Sequence, residues 1–186
     1  MEPFQSTVDF QRMLFWSFPF LFMIHDFEEI LFVKAWITRN RDVIKQRIPK
    51  LADRLLPHFD RLSTQGFALA VAEEFLLVSL TTLLSLVTNQ FHLWYSLFLA
   101  FTVHLLMHIG QGLFFRRYVP GMVTSLLFLP VCLYILYLGF NRMSFTLPIA
   151  GVYLLAGFLL LAVNLLLIHK MAASFSDWLN RFEKGK

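Results

Sequence analysis

Five apolar runs constrain the fold of this chain more than any other feature of its sequence. Each is close to or above the about 20 residues that an α-helix needs to cross the hydrocarbon of a bilayer. Hydrophobic residues make up 58% and charged residues 15% of the sequence, against about 45–50% and about 25% in soluble domains. We predict one all-α domain, residues 1–186, that is a polytopic membrane protein. The five predicted transmembrane helices cover residues 12–37, 66–87, 93–115, 122–140 and 147–168.

The segment between the first two predicted spans, residues 39–62, has a different character. It is basic, and its apolar residues recur at helical spacing. Pro49 and Pro57 are expected to break it into short pieces. The pattern predicts an amphipathic interfacial helix held on anionic lipid headgroups, or alternatively a polar loop folded over the bundle. Its charges are mixed and dispersed, which argues against nucleic acid as a partner.

The distribution of basic residues predicts the orientation in the membrane. Five spans place the two termini on opposite sides. With the N-terminus outside, most Lys and Arg residues fall on the inner side, and the outer side holds only Arg12 and Arg142. The positive-inside tendency therefore predicts an outside N-terminus and a cytoplasmic C-terminus. No basic n-region precedes the first apolar run, so a cleavable signal peptide is not expected.

Ionisable residues interrupt three of the apolar runs. The first run contains His-Asp-Phe-Glu-Glu at residues 25–29, the second contains Glu73 and Glu74, and the third contains His104 and His108. Charged groups inside a bilayer are costly and usually face the protein interior at a functional site. At 1.5 Å per helical residue, all of them lie about 10 to 18 Å from the inner ends of their spans. This agreement in depth predicts one shared site in the inner half of the membrane.

Helical spacing predicts which of these side chains share a face. His25, Glu28 and Glu29 stand at i, i+3 and i+4, so they point to one side of the first span. His104 and His108 are related by i, i+4 in the same way. Each of the two helices therefore presents a polar stripe to the predicted site.

The second span offers two glutamates, of which Glu74 is the better candidate. Glu74 shares its face with small and polar residues, whereas Glu73 shares its face with leucines. The sequence leaves the choice between them open. Asp26 is rotated by about 100° from His25, so we expect a lesser role for it.

Imidazole and carboxylate groups from three helices form a mixed set of nitrogen and oxygen donors. Such a set suits divalent metals, for example Zn or Fe, and inward Glu and His residues hold two ions in some helix bundles. The predicted metal ligands are His25, Glu28, Glu29, Glu74, His104 and His108. Six candidates exceed the four ligands of a tetrahedral zinc. Two ions, or one ion with Glu29 left free as a general base, are both compatible with the set.

A metal ion lowers the pKa of bound water towards 7 and makes hydrolysis feasible at neutral pH. We therefore expect a metal-dependent enzyme that acts on a lipidic or amphipathic substrate near the cytoplasmic leaflet. Hydrolysis is preferred over di-iron oxidation, because no electron-transfer partner is indicated. A proton- or metal-ion-coupled transporter using the same residues is the main alternative, although no internal repeat supports it. A structural or regulatory membrane protein is the third.

Three motifs resemble those of the HXXEE-motif family of bacterial membrane proteins. They are the HDFEE sequence at residues 25–29, a later histidine that is His104 or His108, and the YVPG sequence at residues 118–121. The resemblance covers about residues 16–124. It implies an integral protein of the bacterial inner membrane, and it adds support to the site but none to a particular substrate.

The third motif adds Tyr118 to the candidate catalytic residues, beside Glu29. Its hydroxyl is expected at the inner mouth of the site, next to a helix N-terminus that suits an anionic group. Pro120 and Gly121 are more simply explained by a tight turn.

Overall fold

The computed structural model describes residues 3–143 and 146–185. Residues 1 and 2, residues 144 and 145 before the fifth predicted span, and residue 186 lie outside the described residues. Within the described part, the chain is helical and contains no strand. Its helices are α1 (Pro3–Arg47), α2 (Pro49–Arg61), α3 (Thr64–Thr88), α4 (His92–Phe115), α5 (Met122–Met143) and α6 (Leu147–Glu183).

Four of these helices, α3 to α6, contain stretches long and apolar enough to cross a membrane, and α1 is not among them. The all-α class and the membrane character are therefore confirmed. The apolar run of α1 carries the HDFEE sequence at residues 25–29, and these charges lower its mean hydropathy. A fifth span through α1 stays a prediction.

The helices pack around a cavity. α1 packs mainly against α3, α4 packs against α5 and α6, and α3 packs against α6, whereas the backbones of α1 and α4 stand further apart and these two helices meet through aromatic side chains. One end of this bundle is covered by α2, and we call it the α2 end. The opposite end is filled by a buried aromatic core that includes Phe18, Trp94, Phe98 and Phe101. Trp94 Nε1 donates a hydrogen bond of 3.1 Å to Thr82 Oγ1 there.

α2 packs its apolar face on the end of the bundle. Ala52 and Leu56 are buried in a cluster with Ile44, Phe115 and Val119. This contact explains why Pro57 lies inside α2 instead of ending it, since packing offsets the one backbone hydrogen bond that proline removes. The expected break at Pro57 is therefore wrong, whereas Pro49 does stand at the start of α2.

Polar contacts hold α2 in place. The Arg41 guanidinium donates two hydrogen bonds of 2.7 Å to the carboxylate of Asp60, and these bonds lower the pKa of Asp60 below its usual value. Lys34 Nζ donates to the carbonyl oxygens of Phe59 and Leu62 at 2.6 and 3.0 Å. These carbonyls end the helix, where a positive charge is favourable.

Candidate metal centre

Four side chains from α1 and α4 meet beside the cavity, and three of them, Glu29, His104 and His108, line it. One ligand atom from each of His25, Glu29, His104 and His108 lies within 4.8 Å of the others. His108 Nε2 is 2.8 Å from Glu29 Oε1 and 3.0 Å from His104 Nε2. The ring of His25 stands edge-on to the rings of His104 and His108, with centroids 5.3 and 5.0 Å away. The i, i+4 spacing on both helices produces this convergence.

Two imidazole nitrogens of this group have no hydrogen-bond partner among the described residues. They are Nε2 of His25 and Nδ1 of His108, and both are buried. Leaving a buried polar atom unpaired costs about 1–3 kcal/mol, so such atoms call for an explanation. A cation bound between the rings would take up the Nε2 lone pair of His25, and the donor set therefore fits a metal ion.

The tautomer of His25 follows from its other nitrogen. Thr124 Oγ1 is 2.6 Å from Glu28 Oε2, and the hydroxyl must donate there because a carboxylate only accepts. The same oxygen is 2.9 Å from His25 Nδ1, so Nδ1 carries a proton and donates it to Thr124. Nε2 is then the unprotonated atom, which is the form that binds metal. A histidine ligand held through its second nitrogen is the usual arrangement at metal sites.

Glu28 lies outside the four-residue group. Its Oε1 accepts from the Tyr118 hydroxyl at 2.8 Å and the Val123 amide at 3.3 Å. Its Oε2 accepts from the amide of Thr124 at 2.8 Å and from its hydroxyl. The carboxylate thus caps the N-terminus of α5, where negative charge is favourable. The structure gives Glu28 a positioning role, with its oxygens engaged by groups other than the imidazoles.

Tyr118 is tied to the same carboxylate. Burial and the hydrogen bond to Glu28 raise the pKa of Tyr118 above its usual value, so the phenol holds its proton. The indole Nε1 of Trp36 donates to its carbonyl oxygen at 2.5 Å. Through these contacts Tyr118 bonds to Glu28 and not to a member of the four-residue group.

Gly121 forms part of the wall of the site. Its φ of 82° lies in the left-handed region, where residues with a Cβ are disfavoured. A Cβ at this position would be 2.8 Å from His108 Nδ1 and 3.0 Å from His25 Cε1. The tight turn predicted from Pro120 and Gly121 is present, and it also brings backbone against both imidazoles.

Two further carboxylates line the same cavity as Glu29. Asp26 and Glu74 both face it, and Asp26 is near enough to Glu29 and Glu74 to interact electrostatically with them. Glu73 instead accepts a hydrogen bond of 3.0 Å from Asn164 Nδ2 on α6. Asp26 reaches the cavity because the rotation that takes it off the His25 face turns it towards α3.

The cavity has a volume of about 680 Å³, which falls in the range of small-molecule sites. Helices α1, α2, α3, α4 and α6 line it, and most of the lining is apolar. The polar groups form a belt around its middle, with apolar residues towards both ends. No Lys or Arg is among its described lining residues.

The sequence matches the family described as "Protein of unknown function with HXXEE motif" over residues 16–135. The chain belongs to this family. The suspected resemblance is thereby confirmed, and the matched region contains the HDFEE sequence, His104, His108 and the turn at residues 118–121. No curated protein and no solved structure matches the chain.

One residue of this HXXEE site was missed by sequence reasoning. Thr124 links His25 to Glu28, yet it lies on α5, for which no site residue was predicted. Its position three residues after Gly121, in the first turn of α5, was the available signal, because a hydroxyl there faces back over the turn.

Proposed function

We propose that this HXXEE protein binds one divalent metal ion through His25, Glu29, His104 and His108 and hydrolyses an ester or amide bond of a lipidic or amphipathic substrate. The observation that carries the proposal is the convergence of four donor atoms within 4.8 Å, in a group that also holds two buried imidazole nitrogens without partners among the described residues. A divalent ion supplies Lewis acidity at such a site. Zn is the preferred ion, with Fe and a second ion as the variants to be tested.

The charges around the cavity support a bound cation. Asp26, Glu29 and Glu74 line the cavity, and no basic side chain is found among the described residues that line it. Uncompensated charges in a dry interior are strongly unfavourable. A divalent cation would offset two of the three formal negative charges.

The protein itself supplies the proton acceptor. Glu74 stands on α3, in the wall of the same cavity as the four-residue group on α1 and α4. We assign it the role of taking the proton from the attacking water, because it is free of the imidazole contacts that engage Glu29. Glu28 and Thr124 hold His25 in its metal-binding tautomer throughout.

The closed end of the cavity favours an enzyme over a transporter. In the described part of the chain, the end opposite α2 is filled by buried aromatic rings, with Phe18, Trp94 and Phe98 at 0 to 1% exposure. A transporter needs a path through both halves of the bilayer, and this end offers no polar one. A cavity closed at this end is the arrangement expected of an enzyme.

The proposal includes the membrane arrangement. Five spans, α1 included, place the N-terminus outside and the α2 end at the cytoplasmic face of a bacterial inner membrane, where its basic residues are expected. Periplasmic and cytoplasmic reporters fused to each terminus test this. Activity of the periplasmic reporter at the C-terminus would refute the orientation.

Metal content of the detergent-purified, full-length protein tests the proposed centre. We expect about one ion per chain in the wild type, with Zn indicating hydrolysis and Fe indicating oxidation. The ion should be lost in His25→Ala and His108→Ala. The matched control is His92→Ala, because His92 lies at the opposite end of the bundle and bonds to Tyr153. Wild-type protein without metal after incubation with Zn or Fe would refute the proposal.

A further inference from the structure

The cavity continues beyond the polar belt into an apolar compartment towards the end opposite α2. We call it the chain compartment, and it is lined by Phe18, Phe22, Val78, Leu97, Ala100 and Phe101. From His104 back to Leu97 it is seven residues deep, about 10 Å along α4. All of its walls are hydrocarbon or aromatic. An occupant of this space must therefore be apolar.

The chain compartment ends blindly. Trp94 and Phe98 are fully buried behind it, and both rings pack against Phe18, with centroids 5.6 and 5.1 Å away. Neither ring lines the cavity. Closely packed aromatic rings do not yield without cost, so the compartment has a fixed length.

Apolar lining residues of α2, α4 and α6 are exposed towards the other end of the cavity, and we place its opening among them. Leu51 and Leu55 of α2, Phe114 of α4 and Leu165 of α6 line it, although 48%, 36%, 51% and 41% of their surfaces are exposed. The exposed faces are apolar and stand where α2 meets the bundle. An amphiphile can pass this opening from a lipid layer without carrying its chain through water.

The polar belt between opening and compartment selects the polar group of the occupant. Among the described residues of the lining, the charged side chains Asp26, Glu29 and Glu74 are all acidic. Near the α2 end, Arg41 bonds to Asp60 and Arg61 to Asp177, and none of the described residues that line the cavity is Lys or Arg. In the metal-free protein, a phosphate at this level would meet carboxylates and no guanidinium.

From these features we infer that the substrate is a single-chain amphiphile whose alkyl chain fills the chain compartment and whose polar group is uncharged or cationic. That this amphiphile is a substrate rests on the proposed function, whereas its binding in the cavity does not require the metal. The volume of about 680 Å³ suits one chain with its polar group.

Binding of fatty alcohols of increasing chain length to the full-length protein, measured by native mass spectrometry, tests the compartment. The wild type should bind alcohols up to a limiting length and reject longer ones. Val78→Phe, which fills the compartment, should move the limit to shorter chains, and Val78→Ala should move it to longer ones. The control is Val87→Phe, the same substitution at a 71% exposed position of α3, which should leave the limit unchanged.

Alkyl phosphates of the same lengths, offered to the chelated, metal-free protein, test the charge selection. They should bind at least about tenfold more weakly than the alcohols, because like charges repel strongly where water is scarce. Alkylamines should bind at least as well as the alcohols. Equal or tighter binding of the phosphates would overturn the assignment of the polar group.

Repeating the series after chelation separates this inference from the metal centre. If the protein holds no metal but Val78→Phe still shortens the limit, the proposed function fails and the chain compartment stands. If metal is bound but the limit is the same in Val78→Phe, Val78→Ala and Val87→Phe, the chain compartment fails and the metal centre stands. Retained helical circular dichroism in each variant ensures that the comparison is between folded proteins.

Discussion

Thr124, which follows the turn after α4, fixes the tautomer of His25 through a hydrogen bond. The Thr124 hydroxyl donates its one proton to Glu28, so the hydroxyl oxygen can only accept a hydrogen bond from His25 Nδ1. The carboxylate, the hydroxyl and the imidazole thus form a relay that ends at the buried, unpaired Nε2 of His25. A substitution at Thr124 changes the centre without removing any donor atom.

We predict that Thr124→Val weakens metal binding by about 10–100-fold, the usual effect of losing a partner that orients a ligand. Valine matches the shape of threonine but cannot accept from His25 Nδ1, so the ring loses its fixed tautomer. Competition with a chelator of known affinity measures the change. Thr124→Ser keeps the hydroxyl and should bind metal nearly as the wild type does; equal affinities in the Val and Ser variants would contradict the relay.

The turn from α4 to α5 determines which groups the side chains of the HXXEE motif contact. Glu28 shares a face with His25, as its spacing indicates, yet its carboxylate caps α5 because the turn at residues 118–121 brings that N-terminus against α1. Spacing along one helix fixes the direction of a side chain but not the neighbour that it meets. For the same reason Thr124, on a different helix, could not be paired with His25 from the sequence.

Gly121→Ala should destabilise the protein by about 1–3 kcal/mol, the cost of a non-glycine residue in a strained backbone conformation. The new Cβ would also press on His108, so metal content should fall as well. Thermal unfolding in detergent and elemental analysis measure the two effects. Gly110→Ala is the control, because nothing lies within 4 Å of a Cβ built there, and alanine in a helix should leave stability unchanged or raise it by up to about 1 kcal/mol. Similar melting of the two variants would argue against the close approach.

For the whole molecule, depth along each helix was the most informative quantity in the sequence. Counting residues from the span ends placed the ionisable groups in one layer, and the structure brings His25, Glu29, His104 and His108 together there. Glu74 lines the same cavity, on α3, outside this group. The cavity itself could not be predicted, because it depends on how closely the backbones of α1 and α4 approach and on the position of α2. The end of α1 at Arg47 likewise depends on packing, and the hydrophobic pattern of the sequence did not predict it.

Metal removal should lower the stability of the whole bundle, because the bound ion would join α1 to α4 through the four-residue group. Free metal at about 100 times its Kd raises the free energy of unfolding by about 2.7 kcal/mol, so chelation should lower the melting temperature of the wild type. His25→Ala should melt at one temperature with or without chelator, whereas His92→Ala should respond as the wild type does. A wild-type melting temperature that neither chelator nor added Zn or Fe changes would mean that these side chains pair only with each other, and that their role is to fasten the two helices.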